Sequence, residues 1–176
     1  MIIREAAVSD VSAIANLHAD SWRNTYRGAY SDAYLDGPVF DDRVKVWAER
    51  LSSPPANQYV VVAEDGGEVV GFACVYGNHS VEHGSLLDNL HVKQDLQKSG
   101  IGKQLVVEAA RWCAANYPAQ DMYLGVLEIN ANAQAFYRRL GGADVGGDTT
   151  DEPGGGTVPY RIIRWSRDQL AEMAKE

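Results

Sequence analysis

The residues best placed to do chemistry lie between Gln97 and Lys103, in the run Gln97-Lys98-Ser99-Gly100-Ile101-Gly102-Lys103. Two glycines fall where an apolar, partly alternating stretch, Leu86 to Val92, gives way to a helical pattern. Ile101, Leu105, Val106, Ala109 and Trp112 are spaced to bury one face of that helix. A glycine at a helix start lets backbone N–H groups approach a ligand with no Cβ in the way. Those first N–H groups have no intrahelical partners and sit at the positive end of the helix dipole. The turn therefore suits a phosphate, or is a helix start that binds nothing.

Two familiar phosphate motifs do not fit. A GxxxxGK[ST] loop would need glycine at position 97 and a hydroxyl after Lys103, where Gln97 and Gln104 stand. A GxGxxG dinucleotide fingerprint would need glycine at position 105, which is Leu105, and an acidic residue at the end of a second parallel strand. A nucleotide-phosphate binder is accordingly a distant reading.

A second segment changes the weighting. It runs from Val126 through Asn130, Ala133, Phe136 and Tyr137 to Leu140-Gly141. Gln97-x-x-Gly100-x-Gly102 after an apolar strand resembles the acyl-CoA loop of the Gcn5-related N-acetyltransferases (GNAT). Asn130-x-x-Ala133-x-x-x-Tyr137 followed by Gly141 is similar to that family's later motif. The two occur in the family's order, and the resemblance spans about residues 1 to 165. It implies an α/β (α+β) fold, with a mixed, mostly antiparallel central sheet of about seven strands and helices on both faces. It implies acetyl transfer from acetyl-CoA to a primary amine of a small molecule or peptide. A non-catalytic acyl-CoA sensor on the same fold is the alternative.

On that resemblance, Gln97, Lys98, Ser99, Gly100, Ile101, Gly102 and Lys103 cradle the pyrophosphate, with Lys98 and Lys103 adding charge or merely facing solvent. Leu90, His91 and Val92 offer backbone groups to the pantetheine arm, on a strand that splays from its parallel neighbour. Tyr137 stands near the sulfur as general acid. Asn130 contacts the cofactor, caps the helix that begins there, or does both. Trp22 and Tyr26 line the acceptor groove or are core-edge aromatics. An alkyl amine has a pKa of about 10 and must lose a proton before it attacks. Asp88 is the first candidate to take it, since simple alternation puts it on the face of Leu86 and Leu90. Its other reading is a strand-end carboxylate bonded to backbone. Glu82 and His83 are weaker choices. A homodimer is expected by analogy only.

Composition narrows the classes. The chain has 176 residues, 45% of them hydrophobic and 23% charged, as expected of one domain over residues 1–176 with a proper core. A net charge of −8 is unlike a nucleic-acid binder, which normally presents a basic face. It mildly favours a cationic small molecule. Cys74 and Cys113 read as buried hydrophobes, and no Cys/His spacing suits a metal. The start, MIIREAAVSD, reads as a strand and not a signal peptide, and no stretch approaches a membrane span, so a cytoplasmic location is expected.

The elements that would position these residues follow in order. Residues 1–6 form a strand. A helix capped at Ser9 or Asp10 carries Val11, Ile14, Leu17, Ser21 and Trp22 near one face and stops by Gly28. Asp41 or Asp42 caps a second helix through Leu51. Strands at 58–64 and 69–76 flank the Asp65-Gly66-Gly67 turn, and 77–80 start a loop. A strand at 86–92 leads into the glycine turn and its helix. Strand 122–127, reached by a helical crossover, lies parallel to 86–92. A helix at 131–140 precedes a strand beginning at 143. Residues 146–157 read as glycine-rich and mobile, 158–165 as the last strand, and the tail from Ser166 as a polar helix of low consequence.

Overall fold

A computed structural model describes all residues, 1–176. Seven strands form one sheet: β1 (Ile2–Glu5), β2 (Gln58–Asp65), β3 (Glu68–Ser80), β4 (Gly84–Val92), β5 (Met122–Leu127), β6 (Ala143–Asp151) and β7 (Thr157–Trp165). Their order is β1-β2-β3-β4-β5-β7-β6. Every neighbouring pair is antiparallel except β4 and β5. Six α-helices accompany them: α1 (Val11–Thr25), α2 (Asp32–Asp36), α3 (Val39–Ser52), α4 (Ile101–Asn116), α5 (Ala131–Arg139) and α6 (Arg167–Met173). This is the mixed α/β architecture that the resemblance implies. No helix is long and apolar enough to cross a membrane.

The run Tyr59-Val60-Val61-Val62-Ala63 is apolar throughout because β2 is buried on both faces. Val60 and Val62, with Phe72 and Cys74 of β3, pack against α1 and α3 around Ile14 and Trp47. Val61 and Ala63, with Ala73 and Val75, pack on the other face against Leu105, Val106, Ala109 and Cys113 of α4. A satellite cluster of Ala19, Trp22, Tyr34, Leu35 and Val39 ties α2 to α1 and α3. Between these layers β4 and β5 pair at only two positions, Ser85 with Met122 and Leu86 with Tyr123. Beyond them the strands part, and the gap opens toward the start of α4.

Five expectations need correction. The β3 strand continues past Tyr76 to Ser80, where it pairs with Gly84, so residues 77–80 are strand and not loop. Helix α3 starts earlier, with Pro38 before Val39, and Asp41 and Asp42 lie in its first turn instead of capping it. Alternation fails in β4. Cys74 pairs with Asn89 but Val75 with Leu87, leaving Asp88 as the extra residue of a bulge. Leu87 and Leu90 consequently both join the α4-side core. Asp88 instead meets Arg50 of α3, across the sheet.

The glycine-rich stretch is mostly sheet. Residues from Gly146 to Asp151 pair with β7 from Ile162 to Thr157, and only 152–156 form the connecting turn. Ladder hydrogen bonds to β7 decide this edge strand against its weak intrinsic β-propensity. The tail is not inconsequential either. Ser166 and Gln169 form a capping box, Leu170 enters the main core, and Gln169 Nε2 donates to the Gly141 carbonyl at 2.9 Å.

Candidate active site

The gap between β4 and β5 widens into a cleft of about 1590 Å³. Its lining includes Trp22, Tyr26, Asp88, Leu90, His91, Val92, Gln97, Lys98, Gly100, Gly102, Lys103, Asn130 and Tyr137. Of the residues singled out in the sequence, Ser99, Ile101 and the weaker base candidates Glu82 and His83 lie outside the lining. The Ser99 hydroxyl donates to the Leu96 carbonyl at 2.6 Å, and Ile101 is buried in the main core.

At one end, the turn before α4 presents amides without acceptors. From Lys98 through Lys103 no backbone N–H is bonded within the chain, and the first to be satisfied is Gln104, which donates to Gly100 O at 3.1 Å. The two glycines serve different needs. Gly100 precedes the helix at φ +95°, in the left-handed region, and a Cβ there would meet no atom within 4 Å, so the turn is open on that side. Gly102 is held by packing: a Cβ would lie 3.3 Å from Phe136 Cζ of α5. Lys98 also adopts a positive φ, 65°, without being glycine, the kind of local strain that concentrates at functional sites. Lys103 is not a free charge, since its Nζ lies 2.5 Å from Glu176 Oε2.

In mid-cleft, Tyr137 projects from α5. Trp165 meets its ring edge-on at 5.9 Å between centroids. Burial pushes its phenol well above the usual tyrosine value, and neighbouring Tyr26 adds to the shift. The hydroxyl therefore keeps its proton at neutral pH and can donate it. Asn130 caps α5, its side chain accepting from Ala133 N at 3.1 Å, and it also lies against the Tyr26 hydroxyl. Burial raises the Tyr26 phenol, with Asn130 partly opposing the shift.

The far end is a wall of side chains from α1, the loop after it, α3 and β4. Trp22 is 8% exposed, with Tyr30 edge-on at 5.0 Å and the Arg43 guanidinium over its ring at 4.4 Å. Trp22 is thus both core-edge and cleft-lining. His91, on β4, bonds Ser21 Oγ through Nδ1 at 2.7 Å and lies 4.6 Å from the ring of buried His18. Burial, with Arg43 second, holds the His91 imidazole down near 4, so it is neutral at physiological pH. Asp88 and Asn89 both accept from Arg50 Nη1, at 2.7 and 2.8 Å. Arg50, Arg43, Ser21, His18 and Tyr30 were not foreseen at the site. Several of their pairings are distant in sequence, Trp47 with His18 by 29 residues and Ser21 with His91 by 70. No local spacing marks such contacts.

An uncharacterized N-acetyltransferase of Bacillus subtilis is 29% identical over 139 residues, 77% of this chain and 76% of the relative. A probable N-acetyltransferase of Mycobacterium tuberculosis is 27% identical over 169 residues, 92% of this chain and 93% of its own. Among solved structures, the PaiA N-acetyltransferase of Thermoplasma acidophilum in complex with coenzyme A matches with a TM-score of 0.69 at 19% identity, over 94% of this chain and 98% of that one. The ribosomal-protein-alanine N-acetyltransferase of Brucella melitensis matches with a TM-score of 0.70 at 22% identity, over 94% and 99%. The acetyltransferase (GNAT) family as a whole matches residues 15–142, from the first helix through Tyr137 to the turn after α5. With residues 15–142 of its 176 matched in this way, the chain belongs to the acetyltransferase (GNAT) family.

Proposed function

We propose that this protein, as one domain over residues 1–176, is a cytoplasmic N-acetyltransferase that moves an acetyl group from acetyl-CoA to the primary amine of a small molecule or peptide. The observation that carries the reading is the run of acceptor-free amides from Lys98 to Lys103, which opens into the same cleft as Tyr137. A coenzyme A–type donor fits that arrangement: a diphosphate matches the amides at a helix N-terminus, and an amide-bearing arm matches an unpaired strand edge. The solved PaiA relative carries coenzyme A, which supports the fit.

Acetyl-CoA would supply an acyl group activated as a thioester. The turn amides hold its phosphates, with Lys98 adding charge. The edge of β4 at Leu90, His91 and Val92 satisfies the amides of its arm. That edge is available because β5 diverges after Leu86. A strand N–H aimed at the thioester carbonyl stabilises the negative charge that develops on its oxygen. The Tyr137 hydroxyl hands its proton to the departing thiolate. Asp88 takes the proton of the amine directly or through water, with its Arg50-bound oxygen held in place and its carboxylate facing the cleft. Trp22 and Tyr26 form the wall against which the acceptor lies.

Coenzyme A should raise the melting temperature, because a ligand that binds only the folded state stabilises it by mass action. With acetyl-CoA and a panel of amines, free thiol should appear above the hydrolysis blank. Absence of the thermal shift contradicts donor binding. A shift without thiol release from any amine would leave the acyl-CoA sensor.

A further inference from the structure

The acceptor end of the cleft holds a cation without a hydrogen-bonded anion, its one carboxylate neighbour, Asp42, standing 3.8 Å away. Arg43 of α3 lines the cleft, yet its side chain is only 12% exposed. Its Nε is buried with no hydrogen-bond acceptor. The nearest carboxylate oxygen, Asp42 Oδ2, is 3.8 Å from Nη2, beyond hydrogen-bond range, and already accepts from the Tyr34 hydroxyl at 2.7 Å. Arg50, the other arginine on this wall, is paired with Asp88 and bonded to Asn89 through Nη1. A buried guanidinium N–H left without an acceptor is costly. The guanidinium carbon lies over the Trp22 ring, 4.4 Å from its centroid. From Trp22, ring contacts lead on to Tyr26 at 6.1 Å, and Tyr26 borders Tyr137. Arg43 is thus two aromatic rings from the proposed site of transfer.

We propose that Arg43 is a specificity residue, and that the acceptor amine carries at its other end an anionic group, a carboxylate, which pairs with this guanidinium. The planar fork matches a carboxylate in bidentate geometry, a match that a lysine could not make. Local charge then decides against the expectation from overall charge: a net −8 favours cations at a distance, but the contact wall selects an anion. The one other charged side chain buried nearby, Glu152 on the β6–β7 turn, has both oxygens without partners and lies within no ion pair with Arg43. The inference rests on the proposed acetyl transfer.

The test compares ω-amino acids from glycine to 6-aminohexanoate with alkylamines of the same length, and with aminoalkylphosphonates, on wild-type protein and on Arg43→Met and Arg43→Lys. The acetylated amino acids are also titrated, with coenzyme A present, as ligands that need no turnover. Expected is a preference for the carboxylate-bearing amines at one chain length, expressed in KM. In Arg43→Met that preference ratio falls about 30-fold or more, as when one partner of a buried charge pair is truncated, and Arg43→Lys recovers only part of it. The thermal shift with coenzyme A persists in both variants. An equal preference for alkylamines, a preference for phosphonates that exceeds that for carboxylates, a preference surviving in Arg43→Met, or no binding of the acetylated acids to wild-type protein each overturns the proposal. Loss of the coenzyme A shift in the wild-type protein would instead count against the acetyltransferase reading itself.

Discussion

The two ends of the cleft are built from different materials. The donor end is backbone: unpaired amides from Lys98 to Lys103 and the free edge of β4 beyond its last pairing with β5. The acceptor end is side chains: Trp22, Tyr30, Arg43, Arg50 and Asp88, drawn from α1, the loop after it, α3 and β4. A backbone site is generic, because every chain has amides and needs only a conformation that exposes them. A side-chain site is particular to one sequence, since each group must be delivered by separate elements. The donor half should therefore tolerate a change of acceptor, and the acceptor half a change of donor affinity.

Substitutions can break or sharpen that division. The largest effect is expected at Tyr137, where the ends meet. Tyr137→Phe should lower kcat by about 100-fold or more, the usual scale for a lost general acid, while the thermal shift with coenzyme A is retained. If kcat is unmoved, the proton reaches the thiolate by another route.

The next largest effect concerns pH and separates the side-chain wall from the backbone cradle. His91 is held near 4 against an ordinary 6.5, and burial lowers His18 as well. The unfolded chain therefore binds protons that the folded chain refuses, so stability is complete above about pH 6.5 and declines as pH falls toward 4. Denaturant melts across that range should show a loss of about 2 kcal/mol, and His91→Asn should flatten the slope. An unchanged slope in that variant assigns the acid limb to other groups.

Smaller is the effect on the cradle. Gly100→Ala places a Cβ at φ +95° without any steric clash. Strain of about 1–2 kcal/mol in a left-handed conformation should weaken coenzyme A binding about tenfold by calorimetry. The ranking of acceptors should not change. Reordered acceptor preferences would show that the two ends are coupled.

The smallest effect is expected on the β6–β7 turn. Burial raises the carboxyl of Glu152, and both of its oxygens lack partners. A raised carboxyl pKa makes the ionised form destabilising in the folded state, a penalty absent at low pH and complete above the folded value. Glu152→Gln should stabilise the protein by about 1 kcal/mol at neutral pH, and the gain should vanish in acid. Destabilisation at neutral pH would mean that the carboxylate has a partner.

The same division explains what could be read from the sequence. Gly100 and Gly102 announce the donor end because a missing Cβ is a local, visible property, and Asn130 and Tyr137 sit within one helical motif beside them. The double-sided burial of β2 is equally plain in its unbroken apolar run. Asp88 misled because alternation carries no sign of a bulge; the extra residue is forced by pairing with β3. Residues 146–151 looked like a loop because glycine has little strand preference, yet β7 supplies their partners. Helix α6 was underrated although its signal is present: Ser166 and Gln169 stand at capping-box spacing ahead of buried Leu170. Arg43 and Arg50 carry no such signal, and helical spacing places Ser21 on its face without its partner His91. Their roles exist only once α1, α3 and β4 are folded against one another.

The division rests on where the donor lies, and a crystal structure with coenzyme A tests it most directly. The account predicts the diphosphate on the amides between Lys98 and Lys103, the arm along β4 from Leu90 to Val92, and the sulfur beside the Tyr137 hydroxyl. A diphosphate seated at the Arg43 wall, or a sulfur remote from Tyr137, would contradict it.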